Sequence, residues 1–135
     1  MPDRSPQRLK FVSLELEETK GGHRAIVTLE IRPDRTFVGR ADCGEGSTGD
    51  LRCAALATVD ALHRAIGDAG TLDLIGARAV KAFDATVVIV ALSVRHRQGK
   101  RRLVGSYLAE QDLTAGAAIA VLNATNRLLG TTTFS

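Results

Sequence analysis

Tryptophan is absent from this chain, methionine occurs once, and aromatic residues make up 4% of its 135 positions. The aromatic side chains are Phe11, Phe37, Phe83, Phe134 and Tyr107. A core must therefore be built from Val, Ile, Leu and Ala, and base stacking on aromatic platforms is disfavoured as the main activity. No apolar run reaches the roughly 18 to 20 residues of a membrane-spanning helix, so no membrane association is expected. Met1 to Lys10 is polar and cationic with no apolar stretch behind it, which does not read as a secretory signal. There are two cysteines, Cys43 and Cys53, with nine residues between them and no companion pair. That pattern suggests neither a disulfide framework nor a zinc site, and the expected state is two ordinary thiols in a cytoplasmic protein. His23, His63 and His96 show no His-x-x-x-His or His-x-x-Cys spacing, so no metal site is expected.

What is present fits one globular domain: 44% hydrophobic, 24% charged, and long enough to bury a core without a staple. The net charge of +3 is uneven, with ten basic and eleven acidic residues in 1–70 against eight and four in 71–135. Residues 1–8, with two prolines and no periodicity, read as a disordered tail. Val12, Leu14 and Leu16 then alternate with polar residues, as do Ala25, Val27, Leu29 and Ile31, which predicts two half-buried strands. A third is expected from about Thr36 to Asp42, all joined by hairpins. Leu51, Ala55, Val59, Leu62 and Ile66 fall at helical spacing with Gly67 as a stop, and Arg52, His63 and Arg64 lie on the polar face.

The order then repeats. Strands are expected within Leu72–Phe83, over Thr86–Val94 and over Arg102–Ala109, followed by a helix from Leu113 to Leu129. Asp112 or Thr114 would cap that helix and Gly130 would stop it. Residues 55–67 (ALATVDALHRAIG) and 118–130 (AIAVLNATNRLLG) coincide at five of thirteen positions, and Val38-Gly39 answers Val104-Gly105. The predicted fold is α+β: a single domain over 9–135 made of two duplicated β-β-β-α repeats, 9–70 and 71–130, with helices packed on antiparallel sheets. Val87 to Leu92 is apolar on both faces, whereas a strand with one solvated face would alternate; this predicts a homodimer.

Two strings carry a resemblance. Gly44-Glu45-Gly46-Ser47-Thr48-Gly49-Asp50-Leu51 stands where a glycine-rich turn leads into the first helix. Asp112-Leu113 opens the last helix, and Ala120, Ala124, Asn126, Arg127 and Leu128 close it. With the duplicated order, these make residues 10–130 resemble the C-terminal regulatory domain of the 2-isopropylmalate synthase and citramalate synthase family. Ser47-Thr48-Gly49 replaces that family's Pro-Val pair, and the chain has no room for its catalytic barrel. The resemblance implies a dimeric, non-catalytic domain that binds an effector, an amino acid or other anionic metabolite, between its two units.

The candidate sites follow from these readings. Gly44, Gly46 and Gly49 match G-x-G-x-x-G, but the strands here are hairpin-connected rather than β-α-β, so no dinucleotide and no cofactor is implied. Exposed amides at a helix start still favour an anion, which makes Gly44, Gly46, Ser47, Thr48, Gly49 and Asp50, with Asp112, the candidate ligand-binding set. Arg95-His96-Arg97-Gln98-Gly99-Lys100-Arg101-Arg102 concentrates five permanent cations at a hairpin. Arg95, Arg97, Lys100, Arg101 and Arg102 are candidates for an anion or acidic partner; the plain alternative is a solvated hairpin whose charges deter edge pairing. Asp60 and Arg64 should pair along the helix. Asn123 and Asn126 share a face, and helix-end capping or a dimer contact is expected of them. No G-x-S-x-G elbow or buried carboxylate pair appears, so no catalysis is expected. The leading expectation is a regulatory, small-molecule-binding module. The alternative is a dimeric assembly protein that takes an acidic partner, or less favourably nucleic acid, through the basic hairpin.

Overall fold

A computed structural model describes residues 9–32, 35–44, 47–67, 70–96 and 99–132. The expected tail, 1–8, lies outside them. Strands β1 (Lys10–Thr19), β2 (Gly22–Arg32) and β3 (Arg35–Gly44) precede helix α1 (Ser47–Ile66). Strands β4 (Thr71–Ala82), β5 (Ala85–His96) and β6 (Gly99–Ala109) precede helix α2 (Leu113–Thr132). Each strand trio forms its own antiparallel sheet, in the orders β1-β2-β3 and β4-β5-β6. The fold is α+β with β-β-β-α written twice.

Alternation decides the inner faces. Ala25, Val27 and Leu29 of β2 and Val88, Val90 and Leu92 of β5 are fully buried beneath the helices. Helix α1 lies on β2 and β3, touches α2, and reaches across to β4; α2 lies on β5 and β6 and reaches across to β1. Both helices are therefore buried over most of their circumference, and on α1 Arg52, Leu56, Asp60 and Arg64 form the most accessible stripe. Alanines allow this crowding. A methyl on Gly39 would collide with the Ala57 carbonyl and Ala61, and one on Gly105 with the Ala120 carbonyl and Ala124. Glycine is needed at both stations because helix backbone rests directly on the strand.

The duplication extends to irregularities. The register of β1 with β2 slips at Val12 and that of β4 with β5 at Ile75, so both first strands carry a bulge at matching positions. Each bulge turns its apolar residue outward, and Phe11, not Val12, continues the inner face of β1. Asp60 of α1 accepts a hydrogen bond from the backbone amide of Arg40 at 3.0 Å, while Asn123 of α2 donates to the Ser106 carbonyl at 2.8 Å. The same helix position thus ties down the third strand in each unit, by opposite chemistry.

Two expected boundaries move and a third holds. Helix α1 starts at Ser47 rather than beyond Asp50, so Ser47, Thr48, Gly49 and Asp50 form its first turn and not a loop. Gly130 does not stop α2, which continues to Thr132. Gly67 does end α1, with a left-handed φ of 60°.

Candidate functional site

The glycine-rich corner sits where β3 meets α1. Gly44 ends the strand, Ser47 to Asp50 make the first helical turn, and Glu45 and Gly46 lie outside the described residues. Asp50 does not cap the helix. Its Oδ1 faces His23 Nδ1 at 3.5 Å, and both atoms are buried with no hydrogen-bond partner among the described residues. A carboxylate in a first turn also offsets the positive end of the helix dipole, so this corner already holds its own anion. A methyl on Gly49 would stand 3.1 Å from the Gly44 carbonyl, which keeps the turn tight.

Cys43 and Cys53 are not free thiols: they form a disulfide across this corner, with Cα atoms 5.7 Å apart. The expectation of two ordinary thiols is corrected. It asked for a companion pair, whereas one bridge closing a strand-to-helix turn needs only the end of β3 to meet the second turn of α1, at the usual bridge spacing. His23 is the cross-strand partner of Cys43, so His23, Cys43, Asp50 and Cys53 cluster at one end of the first unit. The Cys53 sulfur also lies 3.2 Å from the Ala41 carbonyl, an acceptor for the thiol when the bridge is reduced. Among the described residues no group of three His, Cys, Asp or Glu side chains could hold a metal ion.

The corresponding corner of the second unit has different chemistry. Asp112 caps α2, its Oδ1 accepting from the amides of Thr114 and Ala115, both at 3.1 Å, and from the Thr114 hydroxyl at 2.7 Å. The Thr114 and Ala115 bonds hold the Asp112 carboxyl below the ordinary carboxylate range. Beside this cap opens a cavity of about 480 Å³. Tyr107 and Ile119 supply apolar wall, and Glu110, Gln111 and Asp112 lie along its rim. With two helix-start amides engaged by Asp112 and two carboxylates along its rim, the cavity suits an ammonium group set beside an apolar portion better than a bare anion. Its walls run from Tyr107 to Ile119, and among the described residues neither Gly44 nor Ser47–Asp50 contributes. The candidate ligand residues are thus divided between two corners.

The basic hairpin joins β5 and β6. Arg97 lies outside the described residues. Register places Arg95, Lys100 and Arg102 on the sheet face turned away from the helices, while Arg101, paired with Val94, points to the helix side. Arg95 is 3.7 Å from Asp73, an exposed pair, and Lys100, Arg101 and Arg102 are exposed. Asp60 and Arg64 pair along α1 as expected, at 3.5 Å.

Two further contacts join the units and had no local sequence signal. His63 of α1 accepts the amide of Leu72 through Nε2 at 3.0 Å, and Asn126 of α2 both accepts from the Leu9 amide and donates to its carbonyl, at 3.2 and 3.0 Å. Each helix thus clasps the chain at the first strand of the other unit. His63 is therefore not on a solvent face, and Asn126 is not a helix cap. A hint was available in hindsight, since His63 and Asn126 occupy matching positions in the two aligned helices.

The sequence matches no protein-family model, and no curated protein is similar to it.

Proposed function

We propose that the protein is a non-catalytic regulatory module that binds a small metabolite and acts as a homodimer. The observation that carries this reading is the cavity beside the Asp112 cap, where apolar wall and carboxylates converge at a strand-to-helix junction. An α-amino acid matches its chemistry: the ammonium group meets Glu110 or Asp112, and an apolar side chain lies against Tyr107 and Ile119. The duplicated architecture and the resemblance to the 2-isopropylmalate synthase regulatory domain support the same class of ligand. The corner at Gly44–Asp50 is the second candidate position, its acidic Asp50 again favouring a ligand with a cationic group. Binding there regulates only if the ligand prefers one arrangement of the protein over another.

A thermal-shift screen against amino acids, 2-keto acids and nucleotides tests the proposal. A ligand specific for the folded state, at a hundred times its Kd, adds about 2.7 kcal/mol of stability. The expected result is a dose-dependent shift with amino acids that is lost in Glu110→Gln. A flat screen favours the second reading, an assembly protein that uses Arg95, Lys100 and Arg102 on their shared face to bind an acidic partner. That binding would fall steeply with added salt.

A further inference from the structure

The outward faces of the two sheets differ in kind. On the first sheet the outward cross-strand trios are Ser13–Thr28–Val38, Glu15–Ile26–Arg40 and Glu17–Arg24–Asp42, so its apolar members Ile26 and Val38 each share a row with polar or charged neighbours, and Arg24 and Asp42 are paired at 2.6 Å. On the second, the cross-strand trios are Val80–Val87–Leu108, Arg78–Ile89–Ser106 and Gly76–Ala91–Val104. Val104 and Leu108 are 56% and 51% exposed. A contiguous apolar face of this kind on a domain marks a contact surface.

We infer that this face is the dimer interface, packed against the same face of a second copy with strands running in opposite directions. The surface specification rests on the proposed homodimer, and charge selects the occupant and its orientation. At the β5–β6 end the outward face carries Arg95, Lys100 and Arg102; beyond its opposite end stand Asp84, in the β4–β5 turn, and Glu110, after β6. A two-fold axis crossing the strands places the basic end of each copy over the acidic end of the other. An axis along the strands would stack cations on cations.

Phe83 adds a second observation. It is 99% exposed at the tip of the β4–β5 turn, and it and Asp84 hold left-handed φ values of 55° and 59°. That two-residue turn favours Asn-Gly, yet this one keeps an aromatic ring in open solvent. The crossing axis delivers the ring to the partner's basic hairpin, where guanidinium and ammonium groups attract an aromatic face. Three strands of this length offer a footprint of about 14 by 35 Å. This is the small end of specific interfaces, so dissociation in the micromolar range is expected. The outer face of the first sheet breaks its apolar residues Ile26 and Val38 up with charged side chains and offers no continuous apolar surface, so assembly closes at two.

Sedimentation velocity of the full chain from about 1 to about 200 µM tests this. The wild type should be a dimer that dissociates on dilution. Val104→Lys with Leu108→Lys should be monomeric throughout, with unchanged circular dichroism and a cooperative melt, because both side chains lie outside the core. Lys100→Glu alone and Glu110→Lys alone should each weaken the dimer about tenfold or more, and the double swap should restore it. A wild type that stays monomeric overturns both the homodimer and this surface. A dimer that survives the paired lysines overturns the surface and leaves the homodimer standing. Failure of the swap to restore the dimer overturns the crossing orientation.

Discussion

Set side by side, the two repeats share an inside and differ outside. Both place a glycine under a helix, a bulge in the first strand and a polar helix side chain on the edge of the third strand. Their outward faces and helix entries have parted: largely charged around Ile26 and Val38 in the first unit, more fully apolar in the second; bridged by a disulfide in the first, capped by an aspartate beside a cavity in the second. Interior positions are held by packing density, where one added methyl meets backbone. Surface positions are constrained only by what they contact, and the two units contact different things.

The largest expected effect tests whether the interiors are equivalent. Gly39→Val and Gly105→Val each force a branched side chain into helix backbone and should each cost about 3 kcal/mol or more, measured by urea denaturation. Similar losses sustain the equivalence; a mild effect at one site breaks it. Reduction of the Cys43–Cys53 bridge comes next. Closing a loop this short contributes about 2 to 3 kcal/mol through the unfolded chain, so dithiothreitol should lower the midpoint by that amount while Cys43→Ser with Cys53→Ser becomes insensitive to it.

The reciprocal clasps should follow. Asn126→Ala leaves both backbone groups of Leu9 without their partner and should cost about 1 to 3 kcal/mol; His63→Ala frees only the Leu72 amide and should cost about half as much. Equal costs would show that the clasps are energetically alike despite their chemistry. The smallest effect concerns the helix cap. Asp112→Ala should cost about 1 kcal/mol near neutral pH. The folded carboxyl titrates below its unfolded value, so its stabilisation is complete above about pH 4 and is lost as pH falls through the folded value. The gap between wild type and Asp112→Ala should therefore close in acid.

Reading the sequence recovered the strands because Ala25, Val27 and Leu29 alternate, and the helices because Leu51, Ala55, Val59 and Leu62 recur at the helical period. It also identified the duplication and the Asp60–Arg64 pair, and narrowed the second helix cap to Asp112 or Thr114, all of which depend on near neighbours in the chain. It misplaced the inner face at Val12, since a bulge shifts the phase without changing composition. It read Ser47–Asp50 as loop, because glycine and serine there outweighed the pull of the long apolar face that follows. It passed over the disulfide and treated His63 and Asn126 as surface or cap residues, because their partners Leu72 and Leu9 are distant in the chain or belong to the other unit. The apolar outer face of β5 was visible; that β4 and β6 complete it with Val80, Val104 and Leu108 needed the register.

The amino-acid sequence by itself determined the periodicities, the turns and the repeated order of elements, because these depend on φ/ψ preferences and on which side chains avoid water within a few residues. Only the tertiary structure decided which corner is bridged, which is capped beside a cavity, and which sheet face is left apolar toward solvent. Those outcomes depend on which residues the packing of two sheets around two helices brings face to face, and the local pattern of side chains does not encode that, even where the partners are as near in the chain as Cys43 and Cys53.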